Sequence, residues 1–326
     1  MNAASKIDVV IPWVDDQDPV WLAKKTRYMR EASMVGDLSA DNRYLEYGTL
    51  QYVLRSIARY LPWVNRVFLL TDHQVPAWLN TDRVAVVDHT EFITGRLPTF
   101  NSNVILTSIG HIHALSDQFI IFNDEMIVWQ PLPPTAFFKN GLPVDALIET
   151  GTVPKDDGFF HISQNGVALA NRLFSKRQVM RHHWRQFFNW RYGRQMGRTV
   201  LSLPYGGFIG FQNQHLLLPY RKTDFDRAYQ LVPEAFRLTW NHRFRSLEDI
   251  NEWTVRYLRN LAGDFTPGYL NGTFLTLADF KTSPPSLPRR TKVIVINDDG
   301  HYADQVVDKV ARFLNARFPE KCAYEK

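Results

Sequence analysis

Residues 119–128 read FIIFNDEMIV, and this stretch decides the fold. The flanking Phe, Ile, Met and Val are apolar enough for a strand covered on both faces, yet Asn123, Asp124 and Glu125 interrupt the run. Carboxylates are almost never buried unpaired, because lost hydration costs more than a fold can recover. Acids at the end of an apolar strand suit an open α/β sheet, where ligands bind just beyond the carboxyl ends of the strands.

The pattern recurs. IDVVIPW (7–13), RVFLL (66–70), VAVV (84–87), QFIIF (118–122) and VIVI (293–296) are each followed by Asp-containing residues: VDDQD, TDH, DHTE, NDE and NDD. Continuous apolar runs of this length fit strands sandwiched between helices. In YGTLQYVLRSIARY (47–60), Leu50, Val53, Leu54 and Ile57 share one helical face. Residues 171–192 read as a second helix, with Leu173, Met180, Trp184, Phe187 and Phe188 facing together, and LEDINEWTVRYLRNL (247–261) as a third. PLPP (131–134) and SPPSLPRR (283–290) read as loops or linkers. The expected class is α/β: a single mixed, mostly parallel sheet with a helical insertion between the last strands. Residues 1–150 and 265–326 form the expected core, and 151–264 the insertion.

Bulk properties narrow the class. A chain of 326 residues can bury a sizeable core, and 45% hydrophobic with 22% charged residues excludes wholesale disorder. The start, MNAASKIDVVIPW, lacks the apolar region of a signal peptide, and no run is long enough to cross a bilayer. Cys322 is the only cysteine, which excludes an intramolecular disulfide or a zinc cluster and points to the cytoplasm. The formal charge of +5 is local: between Asp157 and Asp224 there is no acid, while ten Lys and Arg occupy the interval.

Asn123, Asp124 and Glu125 offer the oxygen ligands that suit Mg²⁺ or Mn²⁺, and a metal at a strand end serves phosphate chemistry. The same residues equally suit a helix cap or an Asx turn. Asp15, Asp16 and Asp18 in WVDDQDP carry the same two readings, since Asp-rich turns before Pro are common.

Four blocks in order then resemble the Stealth family, sugar-1-phosphate transferases of microbial capsule synthesis and lysosomal-enzyme tagging. They are DVVIPWVDDQDPVW (8–21), RYLEYGTLQYVLRSIARYLPWVNRVFLLTDHQVPAWL (43–79), LPTFNSNVILTSIGHIHALSDQFIIFNDEMIV (97–128) and, weaker, KVIVINDD (292–299). The resemblance implies a GT-A-like Rossmannoid core. It also implies transfer of a sugar with its phosphate from a nucleotide sugar, usually UDP-linked, to a glycan hydroxyl, with release of UMP. Asp124 then either holds the metal with Glu125 or accepts the acceptor's proton. QHLLLPYRK (214–222) is similar to the family's His segment and WNHRFRSLEDI (240–250) to its Arg segment. His215 becomes a general acid/base or phosphate donor, and Arg245, assisted by Arg243, a bidentate phosphate ligand. Trp13, Asp15, Arg43 and Asn123 fall to donor binding. The bland alternatives are a backbone-bonded His215 and an Arg245 paired with Glu248 or Asp249. Arg55 is read as an anchor to a neighbouring acid. Departures exist: Leu45 and Glu46 stand where the family pattern has Arg and Asp, and Glu125 replaces a second Asp.

NRLFSKRQVMRHHWRQFFNWRYGRQMGR (171–198) combines eight Lys or Arg with Trp184, Trp190, Phe187, Phe188 and Tyr192. A helix apolar on one face and basic on the other can lie on an anionic membrane or line a groove for an anionic polysaccharide. The expected partners are a nucleotide-sugar donor, a lipid-linked or polymeric glycan acceptor, and the cytoplasmic face of the inner membrane; nucleic acid is not expected. The rival readings are a conventional glycosyltransferase that releases UDP and a non-catalytic carbohydrate- or membrane-binding relative.

Overall fold

The computed structural model describes residues 6–31, 47–153, 158–282, 284–297 and 304–326. β1 (Ile7–Pro12) leads into α1 (Pro19–Glu31), followed by α2 (Thr49–Tyr60), β2 (Val67–Thr71), β3 (Val84–Asp88), the single turn α3 (His89–Phe92), α4 (Ser102–Ser108) and β4 (Gln118–Ile121). Next come β5 (Met126–Val128), the small hairpin β6 (Phe138–Lys139) and β7 (Leu142–Asp145), and helices α5 (Gly158–Leu173), α6 (Lys176–Phe187) and α7 (Met196–Ser202). β8 (Leu218–Arg221), α8 (Lys222–Leu231), α9 (Pro233–Trp240) and α10 (Glu252–Leu261) precede β9 (Thr266–Pro267), β10 (Gly272–Thr276), β11 (Val293–Asn297) and α11 (Asp304–Arg317).

The main sheet runs β3-β2-β1-β4-β8. Its first four strands are parallel and β8 is antiparallel to β4, so the mixed, mostly parallel α/β class expected from the sequence is the one observed. Alternating side chains divide the core. Val9, Ile11, Leu69 and Ile120 point toward α2, α11 and the second sheet, while Val10, Phe68 and Phe119 point toward α4, α8 and α9. Leu50, Val53, Leu54 and Ile57 of α2 are all buried, as their helical spacing predicts. Truncating one of them to Ala costs about 2–5 kcal/mol.

The stretch FIIFNDEMIV is two strands in two sheets. After β4 the chain turns at Asn123–Glu125 and resumes as β5, which pairs antiparallel with β11 in a second sheet ordered β10-β11-β5. The VIVI strand therefore lies outside the main sheet, where a single sheet was expected, because β8 already occupies the place beside β4. The acids sit at the joint between the sheets, a position where backbone turns and water reaches the side chains. Asp298 and Asp299, the fifth acid tip, lie outside the described residues.

Two helix readings need correction. Residues 171–192 are not one helix: α5 ends at Leu173, and Ser175 is extended (φ −79°, ψ 119°) ahead of α6. Leu173 and Trp184 are exposed while Phe187 is buried, so the five apolar residues do not share one face. The third helix starts at Glu252 rather than 247, because Asn251 is extended and the preceding loop is bound by Asp249.

Buried charge fixes the helices of 151–264. Asp145 accepts from Arg256 Nε at 2.7 Å, from Arg259 and from Asn260 Nδ2 at 3.0 Å, seating α10. Lys176 Nζ lies 2.9 Å from the buried Glu149 carboxylate, so this lysine belongs to the interior and not to a basic face. Removing one partner from such a pair costs about 3–5 kcal/mol. Arg55 grips Glu325 through two hydrogen bonds of 2.8 Å, the anchoring role its helix position suggested.

Candidate active site

Antiparallel pairing of β8 with β4 builds the site. Ile121 faces Leu218, so residues just beyond the end of β4 meet those just before β8. His215 Nε2 lies 2.8 Å from Glu125 Oε1, and Asn123 Nδ2 lies 3.1 Å from the same oxygen and 3.3 Å from His215 Nε2. The Asp124 carboxyl also hydrogen-bonds to Glu125. Thus three adjacent residues of one turn and a histidine 90 residues away form one polar cluster. His215 bonds a carboxylate in this structure, where the bland reading had it on backbone.

Burial alone would raise the Glu125 carboxyl, but the His215 hydrogen bond and charge outweigh it and hold it well below the usual carboxylate range. Burial would lower His215, and Glu125 reverses that, keeping the imidazole pKa above its ordinary value. Glu252, the first residue of α10, is pushed up by burial and held back by the charges of His215 and Arg245. It therefore stands within electrostatic reach of both. Sequence reading passed over Glu252 because it fell inside the expected helix 247–261, where a charged side chain is ordinary.

The Arg-bearing loop is tied down by one buried acid. Asp249, with no exposed surface, accepts from Asn101 Nδ2 at 2.7 Å, Asn103 Nδ2 at 3.1 Å, Ser246 N at 3.0 Å and His242 Nδ1 at 2.7 Å. Asn101 also caps α4, so loop and helix start form one unit. Arg245 donates from Nη2 to Ser102 Oγ at 2.6 Å. Arg243 donates to Pro98 O at 3.1 Å and places its guanidinium 4.0 Å from the Tyr28 ring centroid.

Tyr28 and Pro98 also line a cavity of about 630 Å³ at the ends of β2 and β3, with Lys24, Asp72, His73 and His89 on its wall. Both ring nitrogens of His89 are buried without a hydrogen-bond partner. Asp72, His73 and Asp88 bring one ligand atom each within 4.8 Å of one another, a spacing a divalent cation can use. Asp72 is paired with Lys24 at 2.5 Å, however, and Asp88 caps α3 while holding His73 Nδ1 at 2.8 Å. The sequence hinted at this cluster only through the TDH and DHTE tips.

Of the remaining donor-binding residues, Trp13 follows β1, half-buried, with its indole N–H buried and without a hydrogen-bond partner. Asp15 exchanges backbone hydrogen bonds of 3.0 and 2.9 Å with the Gln74 side chain, joining the Asp-rich loop to the end of β2. Asp18 accepts from Val20 N and caps α1. Arg43 and Glu46 lie outside the described residues.

Residues 5–32 match the family model described as Stealth protein CR1, conserved region 1, and residues 43–144 that of Stealth protein CR2, conserved region 2. The chain is 32% identical over 334 residues to capsular polysaccharide phosphotransferase WcwK of Streptococcus pneumoniae, covering 100% of both. It is 33% identical to exopolysaccharide phosphotransferase cps2G of Lactiplantibacillus plantarum, covering 98% of this chain and 96% of that one. Among solved structures, the galactosyltransferase LgtC with donor and acceptor sugar analogs covers 95% of each chain at 11% identity and a TM-score of 0.40, too distant to bear on fold or function.

Proposed function

Since the chain belongs to the Stealth family, we propose that it is a phosphotransferase that moves a sugar with its phosphate from a nucleotide sugar to a hydroxyl of a surface polysaccharide. The observation that carries this reading is the His215–Glu125 contact at the end of β4, with the Asp249-bound arginine loop nearby. The donor is UDP-linked. Its diphosphate lies along the strand ends, reached by Arg243 and Arg245, and its nucleotide end extends toward the cavity beside Tyr28, past Trp13 and Asp15, with Arg43 and Asn123 as further ligands.

The acceptor oxygen attacks the sugar-proximal phosphorus; the bond from that phosphorus to the bridging oxygen breaks, and UMP leaves. His215 takes the hydroxyl proton, with Glu125 orienting the ring and stabilising the imidazolium, the division of labour seen wherever a carboxylate supports a basic histidine. The arginines neutralise charge on the equatorial oxygens. The adjacent carboxylates of Asp124 and Glu125, with the Asn123 amide beside them, are the oxygen donor set that would hold Mg²⁺ or Mn²⁺. Bound there, the metal supplies neutralisation of the diphosphate.

Residues 1–150 with 265–326 form the donor-binding core in this reading, and 151–264 faces the acceptor. The acceptor is lipid-linked or polymeric, and the 171–198 segment rests on the cytoplasmic face of the inner membrane. No helix among the described residues is long and apolar enough to cross a membrane. Trp184, Trp190, Leu201 and Tyr205 nevertheless stand exposed, with Arg185 and Arg191 over the two indoles at 5.3 and 4.8 Å.

The deciding experiment identifies the nucleotide product. Purified protein is given UDP-sugars, Mg²⁺ or Mn²⁺, and a membrane extract from cells lacking the gene. Acceptor-dependent UMP with phosphate retained in the product is the expected result. Release of UDP would mean glycosyl transfer and would overturn the assignment.

A further inference from the structure

Phe274 stands in the middle of β10, the outer strand of the second sheet, and leaves 51% of its surface in solvent, while the next residue, Leu275, is buried. Its ring lies against the His215 imidazole, with centroids 6.2 Å apart and planes at 66°. The two segments are held together by packing. A Cβ on Gly272 would fall 2.3 Å from Leu216 Cδ2, and Gln214 Nε2 donates to Leu270 O at 3.3 Å. Phe274 belongs to none of the buried apolar clusters among the described residues.

We infer that Phe274 is the platform on which a pyranose ring of the glycan acceptor stacks. The inference rests on His215 as the group that takes the acceptor's proton. A hydroxyl within reach of that proton transfer sits about 2.6–3.2 Å from the imidazole. The sugar ring bearing it then extends over the side chain next to His215, and that side chain is Phe274. One face of a pyranose is a patch of C–H bonds polarised by the ring oxygens, which meets the electron-rich face of an aromatic ring favourably. The donor's phosphates are assigned to Arg243 and Arg245, which are fixed to Pro98 and Ser102. Phe274 thus selects for a carbohydrate hydroxyl over water or a small alcohol.

The test compares wild type with Phe274→Ala and Phe274→Trp. KM for the polysaccharide acceptor should rise about tenfold in F274A and stay near wild type in F274W. KM for the UDP-sugar and Tm should change by less than about twofold or not at all, because the ring is half exposed. In parallel, methyl glycosides of glucose, galactose and N-acetylglucosamine are followed by saturation-transfer NMR, with signal on their ring C–H protons expected for wild type and lost in F274A. Unchanged acceptor KM in F274A, a matching rise in donor KM, or equal saturation in both proteins would each overturn the platform. If wild type releases no UMP, the assigned reaction falls, and the NMR comparison still decides the platform: signal lost in F274A supports it, and equal or absent signal in wild type overturns it.

Discussion

His215 Nε2 sits 2.8 Å from Glu125 Oε1, joining the residue before β8 to the turn after β4. With Nε2 directed at the carboxylate, Nδ1 is the ring nitrogen that the proposed proton transfer would use. If this imidazole carries the proton of the acceptor hydroxyl, His215→Gln lowers kcat by on the order of 10²–10⁴-fold. Donor KM should move little, since the proposed phosphate ligands are Arg243 and Arg245. Glu125→Gln keeps a hydrogen-bonding group but not the charge, and should cost less than His215→Gln. Steady-state kinetics with acceptor and donor varied separately checks both. A donor KM that rises while kcat holds would make His215 a binding residue instead.

Asp124 is adjacent to that pair and in hydrogen-bonding contact with Glu125. Asp124→Asn preserves shape and removes a charge assigned to metal binding in the proposed mechanism, so turnover should fall by on the order of 10²–10³-fold with Tm nearly unchanged. Chelation should abolish wild-type activity, and Mg²⁺ or Mn²⁺ should restore it. Full activity of the variant would sink the role given to Asp124.

Asp249 makes a stability prediction distinct from chemistry. It is fully buried and ties Asn101, Asn103, Ser246 and His242 into the loop that carries both arginines. Asp249→Ala strands these donors and should cost about 3 kcal/mol, measured by urea unfolding, and should raise donor KM. The hydrogen bond to Asp249 raises the His242 pKa above its ordinary value. A group with a raised folded-state pKa contributes stability that is complete below its unfolded value of about 6.5 and vanishes as pH climbs through the folded value. His242→Gln retains a donor without the charge. Its Tm deficit against wild type should therefore be largest below about pH 6.5 and close at alkaline pH.

How much of this was legible beforehand follows from the range of the forces involved. Strand identity was readable because Val9, Leu69 and Ile120 lie in continuous apolar runs, a local property. Sheet membership was not: whether VIVI joins β4 or β10 depends on β8 taking the place beside β4, a contact across roughly a hundred residues. The same pairing brings His215 to Glu125, which composition could not reveal and only the family resemblance pointed to. Glu252 and Phe274 escaped notice since neither residue is unusual in its own segment. The basic stretch was overread in one respect, because Lys176 turns inward to Glu149.

The outward part of that stretch supports the last prediction. Arg181, Arg185, Arg191, Arg194 and Arg198 are exposed, and Trp190 and Leu201 leave 78% and 79% of their surfaces in solvent. Each arginine near an anionic bilayer contributes about 1 kcal/mol, a term that salt screens, while the apolar side chains contribute by burial in the headgroup region. The protein should cosediment with phosphatidylglycerol vesicles, less with phosphatidylcholine, and be released at high ionic strength. Trp190→Ala combined with Leu201→Ser should weaken vesicle binding about tenfold without lowering Tm, because both side chains contribute little to the core. Binding to uncharged vesicles as strong as to anionic ones would remove the electrostatic part of the argument. No binding to either would leave the exposed indoles to a polysaccharide acceptor, since an anionic glycan offers the same charge without a bilayer.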